Sequence, residues 1–261
     1  MTTKPINSEE YDDPDLYDIE NDSYKDDIPF LKMWASKQGG TILDIACGTG
    51  RSAIPLAEKG FKLIGIDIHK GMLKQAKLKT KNNSMQVKWV EQDCTNFDLN
   101  LKSRLAYMTG NSFQHFLTNE SQNLLFNSIY NHLEEDGVFI FNTRFPSSEE
   151  LLQPSKEEYW KSYVNRNGQK VDVYTISSYD SLNQVQDYIT IRKTKNETGI
   201  ILTEKKTKIS LRYVYPKEMV RLLSETGFEI IDILADWDGT PVTNESYQMI
   251  YVCKKISSNV F

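Results

Sequence analysis

Cysteine, histidine and long apolar runs are all scarce in this 261-residue chain, and each scarcity excludes something. The three cysteines, Cys47, Cys94 and Cys253, have no metal-ligand spacing and leave an odd thiol. Reduced thiols and no resident metal are therefore expected. The opening MTTKPINSEEYDDPD lacks the charged-then-apolar layout of a signal peptide, which together with the thiols makes a cytoplasmic protein the expectation. No run approaches the ~20 apolar residues of a membrane helix, so no membrane partner is expected. Positive charge is in deficit, with 31 Lys and Arg against 36 Asp and Glu. A nucleic-acid reader usually shows the reverse, so that partner class is disfavoured.

What is present is ample core material, at 39% hydrophobic and 11% aromatic residues, enough for one large domain. Residues 1–25 are acidic and punctuated by tyrosines. Helical spacing of Ile28, Leu31 and Trp34 predicts a helix over 26–37. Strand-like 42–45, 61–67, 85–93, 104–110 and 138–144 then alternate with helical SAIPLAEKG, HKGMLKQAKLKTK and SQNLLFNSIYNHL. Lys70, Lys74, Lys77, Lys79 and Lys81 read as the solvated side of the second of these helices. Such alternation predicts an α/β fold, a doubly wound and mostly parallel sheet. After Pro146 the pattern changes to β-branched strands joined by DSL and NETG turns, an antiparallel meander. A helix from Pro216 to Gly227 and two strands, FEIIDIL and YQMIYVCKK, follow. The expected organisation is an N-terminal lid over 1–25, a core over 26–145 and 216–261, and an insertion over 146–215 covering the mouth of the sheet.

The chemistry concentrates at ILDIACGTG, residues 42–50. Gly48 and Gly50 let a backbone approach a ligand closely. GTGRSA also fits the dinucleotide pattern G-x-G-x-x-G/A, which alone is weak. Asp67 ends the next strand, where a carboxylate accepts from ribose hydroxyls of either ligand class. Asp44, inside the first strand, suits a cationic ligand and would oppose a pyrophosphate. Asp93 ends the third strand, where it can accept from an adenine amine. Three acids at successive strand ends favour S-adenosylmethionine over NAD or NADP.

LDIACGTG, GIDIHKGMLKQA and VEQD resemble the motifs of class I S-adenosylmethionine-dependent methyltransferases, over residues 10–145. The resemblance implies a Rossmann-like, seven-stranded sheet and S-adenosylmethionine as cofactor, with S-adenosylhomocysteine as product. It implies a cofactor site of Asp44, Ala46, Gly48, Gly50, Asp67, Ile68, Met72, Asp93, Cys94 and Gly110, with Ile68 flanking adenine. His69 stands where that family often has serine. TGNSFQHFL, the strand ending in Arg144 and KISLRYVYP further resemble the glycine and sarcosine N-methyltransferases and related amino-sugar N-methyltransferases. By position, Asn111 would lie beside the transferred methyl and the acceptor amine, and Arg144 would hold an acceptor carboxylate. Tyr17 and Tyr24 resemble tyrosines that close over cofactor and substrate, with Tyr24 also counted as catalytic.

Strand alternation puts Asn142 and Arg144 on one face at the carboxyl end of the sheet. A guanidinium there can clamp a carboxylate through two parallel hydrogen bonds. An ion pair with Glu149 or Glu150 in the next loop is the alternative, and the Phe-Pro after Arg144 departs from the glycine enzymes. A neutral amine needs no strong base, whereas an oxygen acceptor would call on His115, which otherwise packs beside Phe113 and Phe116. The expected activity is methyl transfer to a small molecule, at nitrogen of an amine or heterocycle that can be carboxylate-bearing. Oxygen methylation and NAD(P)-dependent dehydrogenation are the alternatives.

Overall fold

The computed structural model describes residues 7–81 and 84–256. The first six residues assigned to the lid and the last five assigned to the core lie outside the described residues. Seven strands form the main sheet: β1 (Thr41–Ile45), β2 (Lys62–Asp67), β3 (Val87–Glu91), β4 (Ser103–Met108), β5 (Leu133–Arg144), β10 (Phe228–Leu234) and β11 (Gln248–Lys255). Their order is β3-β2-β1-β4-β5-β11-β10. All neighbours from β3 to β5 pair in parallel, and β11 runs antiparallel to both β5 and β10. The order reverses between β1 and β4, and a ligand crevice opens at the carboxyl ends beside such a switch point.

Both faces of the sheet are covered, which is why its strands read as near-continuous apolar runs. On one face Leu43, Ile45, Ala106, Met108, Phe139 and Phe141 pack against Leu125 and Phe126 of α5 (Asn119–His132) and Leu223 of α7 (Pro216–Glu225). On the other, Ile42, Leu63, Leu105 and Ile140 meet Leu31 and Trp34 of α2 (Asp27–Gln38) and Leu56 of α3 (Ala53–Glu58). The period of two along β1 puts Asp44 on this second face with Ile42.

The meander is a four-stranded antiparallel sheet, β6-β7-β8-β9: β6 (Glu158–Val164), β7 (Lys170–Asp180), β8 (Val185–Lys195) and β9 (Ile201–Arg212). Its first strand was not anticipated, because EYWKSYV is a mostly exposed edge without clean alternation. Two helices were also missed, α1 (Pro14–Asn21) and the one-turn α6 (Ser148–Leu151). Each is too polar to show an apolar stripe, yet each starts on a side-chain cap, Asp13 and Ser147 respectively. Between β2 and β3 runs α4 (Lys70–Thr80). Among the described residues no helix is long and apolar enough to cross a membrane.

Candidate active site

The turn after β1 is built by backbone conformation first. Ala46 has φ +55°, Gly48 +56° and Gly50 +83°, a left-handed run that L side chains resist. At Gly50 a side chain is barred twice over. A Cβ there would lie 2.6 Å from Cη2 of Trp89, which reaches across from β3. The space at Gly50 therefore serves an indole ring; at Gly48 a Cβ would meet only Met72 Cε, at 3.4 Å.

Asp67 ties this turn to the end of β2. Its Oδ2 accepts the Gly48 N–H at 2.8 Å and its Oδ1 the His69 N–H at 2.7 Å. Each oxygen keeps a second lone pair, so two acceptor positions remain for ligand hydroxyls. Burial raises the Asp67 pKa and outweighs those two hydrogen bonds. Asp44 is fully enclosed and accepts from Ser52 Oγ at 3.1 Å. No salt bridge reaches it among the described residues, and burial pushes its pKa up to about 7. A cation beside it would relieve that cost. Asp93 is exposed, and its Oδ1 accepts from Thr95 N–H and Oγ1, at 2.8 and 2.7 Å. Ile68 is exposed, whereas Met72 and Cys94 are buried.

Arg51, two residues before α3, was not singled out in the sequence and turns out to organise the site. Its guanidinium forms a two-pronged ion pair with the fully buried Asp27 of α2. It also donates to the Tyr24 carbonyl at 3.0 Å and to Thr109 Oγ1 at 3.2 Å. The Tyr24 ring lies over it at 5.2 Å. One side chain thus joins the turn, the N-terminal segment and the end of β4. Tyr24 is 41% exposed at this joint, where its ring and its carbonyl both meet Arg51.

The N-terminal segment is fastened over the turn. Asp18 of α1 accepts from Thr49 Oγ1 at 2.6 Å, from Gln75 at 3.0 Å and from Lys79 at 3.0 Å. Lys79 also reaches Asp22, so this lysine is a latch and not part of a solvated face. Toward the small sheet, Arg192 of β8 pairs with both Glu10 and Glu20. Tyr17 packs against Tyr11 with ring centroids 5.8 Å apart.

At the end of β4, Gly110 and Asn111 both take positive φ, +69° and +58°. Asn111 exchanges two hydrogen bonds with Asn142 of β5, at 3.2 and 2.9 Å. Asn142 in turn donates to Gln248 at 3.1 Å. His115 is hydrogen-bonded through Nε2 to the Tyr11 hydroxyl at 2.7 Å, and burial lowers its pKa to about 4. The imidazole is neutral at physiological pH. Arg144 is engaged by Glu150 at 2.8 Å, the ion pair weighed as an alternative, and by the Tyr188 hydroxyl at 3.0 Å.

The structure therefore brings Asp44, Ala46, Gly48 and Asp67 together around one turn, and Asn111, Asn142 and Arg144 along one strand end. Tyr11, Arg51 and Gln248 carried no usable signal in sequence. Their partners are 104, 24 and 106 residues away.

Residues 42–137 match the family model described as Methyltransferase domain. A glycine/sarcosine N-methyltransferase of Halorhodospira halochloris is 26% identical over 234 residues, 88% of this chain and 81% of that protein. The CcbJ methyltransferase of Streptomyces caelestis has a similar structure, with TM-score 0.82 at 20% identity, covering 97% of this chain and 100% of its own. The S-adenosylmethionine-bound structure of CalS10, an amino pentose methyltransferase of Micromonospora echinaspora, gives 0.73 at 17%, over 92% and 95%. At those identities the structural likeness establishes the fold.

Proposed function

We infer that this chain, an S-adenosylmethionine-dependent methyltransferase, transfers a methyl group to the nitrogen of a small-molecule amine. Bound, the cofactor supplies an electrophilic methyl carbon that already carries its leaving group. The residues present fit it. Asp67 keeps two free acceptor positions for ribose hydroxyls, and Asp44 presents a buried carboxylate without an ion pair to a cationic ligand. At Gly48 the bare backbone keeps a Cβ out of contact with Met72 Cε.

In this reading the N-terminal segment, latched through Asp18 and Arg51, excludes water, and Asn111, braced by Asn142, orients the acceptor. Alignment of this kind lowers barriers by about 7–11 kcal/mol in well-oriented reactions. The observation that carries the choice of nitrogen is His115. It ends the short helical turn that Asn111 starts, and, with burial lowering its pKa to about 4, it is too weak a base to deprotonate a hydroxyl near neutrality. An amine arrives neutral after losing its proton to solvent. The N-methylating relative supports the same choice. The test is a panel of paired amines and alcohols with S-adenosylmethionine, reading S-adenosylhomocysteine released. Turnover of amines is expected, and turnover confined to alcohols would overturn the nitrogen assignment.

A pH dependence follows from Asp44. Its carboxyl pKa is raised from near 3.9 unfolded to about 7 folded, so the folded state holds the proton more tightly. Its contribution to ligand-free stability is fully present below about pH 4 and is lost as pH rises through about 7. A cationic ligand favours the ionised form, so binding below pH 7 releases a proton. Affinity for S-adenosylmethionine should rise by up to about tenfold per pH unit from pH 5 to 7 and then level off. Calorimetry in buffers of different ionisation enthalpy counts that proton. A flat affinity profile would separate Asp44 from the cofactor.

A further inference from the structure

We propose that Glu150 determines acceptor specificity: its carboxylate pairs with the Arg144 guanidinium, compensates its charge and so disfavours amines that carry a neighbouring carboxylate. The inference rests on the methyltransferase reading, which places Arg144 in the acceptor crevice. Arg144 stands opposite Gln248 in the β5–β11 register, and Gln248 accepts from Asn142, which braces Asn111. The guanidinium therefore belongs to the same polar strip as the residue expected beside the reacting amine.

Glu150 reaches that strip from α6, directly after β5. Three donors converge on its Oε1: Arg144 Nη1 at 2.8 Å, Tyr188 hydroxyl at 2.6 Å and Tyr213 hydroxyl at 2.8 Å. Burial would raise the Glu150 pKa, but the tyrosine hydrogen bonds and the Arg144 charge carry it below the ordinary range, so it is ionised at neutral pH. The Tyr188 ring also lies 5.4 Å from the guanidinium carbon. Arg144 thus holds a carboxylate of its own chain, preorganised by two phenols, one from β8 and one from the residue after β9. Glu150 engages Nη1 of Arg144, so an acceptor carboxylate would have to displace it there or meet the rest of the guanidinium beside a partly buried Glu150, a second negative charge, at a cost. Glu150 Oε2 has no partner among the described residues and is left to accept from a hydroxyl or ammonium. The favoured acceptors are amines flanked by neutral, hydrogen-bonding groups.

The test is calorimetric titration with sarcosine as the carboxylate probe, in the presence and absence of S-adenosylhomocysteine. It is run on the full chain, on Glu150→Ala and on Glu150→Gln, which keeps an acceptor for both phenols. The unaltered chain is expected to show no saturable binding. Both variants should gain at least tenfold in affinity, and Arg144→Ala added to either should remove the gain. Saturable sarcosine binding by the unaltered chain, or variants no better than it, would overturn the proposal. A gain seen while S-adenosylhomocysteine itself fails to bind would uphold Glu150 and sink the methyltransferase reading.

Discussion

Asp67→Ala is expected to weaken S-adenosylhomocysteine binding by a hundredfold or more. The carboxylate keeps one acceptor position free on each oxygen, and a ribose can fill both. Hydrogen bonds to a charged group are worth about 1.5–3 kcal/mol each. Losing two costs about 3–6 kcal/mol, or roughly 10²–10⁴-fold in affinity. The substitution also releases the Gly48 and His69 amides, which loosens the turn that the ligand must meet. Asp67→Asn retains one acceptor and should lie between. A loss under fivefold for the alanine variant, measured by calorimetry, would mean that this carboxylate only braces the turn.

Arg51→Ala should be the most destabilising single change at the site. It strips the fully buried Asp27 of its ion pair, and an uncompensated buried charge costs about 3–5 kcal/mol. For a chain of this size that corresponds to a fall in Tm of roughly 10 °C. Burial alone would lower the Arg51 pKa, but the Asp27 carboxylate restores and raises it, so the guanidinium is charged across the accessible pH range. A second substitution, Asp27→Leu on the Arg51→Ala background, should recover much of the loss by removing the stranded carboxylate. Thermal unfolding of the three variants measures this directly. No recovery would show that the other Arg51 contacts, to the Tyr24 carbonyl and Thr109, matter more than the ion pair.

These two residues also mark how far the sequence could be read. Asp67 was legible because a strand-terminal acid beside a glycine turn follows a local rule, and the same holds for Asp44 and for the parallel strands that bury both faces. The glycines were read as positions where the backbone approaches a ligand, whereas beside Gly50 it is Trp89 that occupies the space. Arg51 was not singled out, because nothing local announces Asp27 across the fold. Lys79 looked solvated because its partners sit on α1, a helix whose acidic composition hides it. Arg144 stood between two readings that local sequence could not separate. The ion pair with Glu150 depends on a one-turn helix and on two tyrosines from β8 and the end of β9.

The most direct test of the account is calorimetric titration of the purified chain with S-adenosylhomocysteine and, separately, with NAD and NADP. Saturable binding of S-adenosylhomocysteine alone is predicted, strongly weakened by Asp67→Ala. Saturable binding of a dinucleotide with none of S-adenosylhomocysteine would contradict it, and the roles given to Asp44 and Asp67 would fall together.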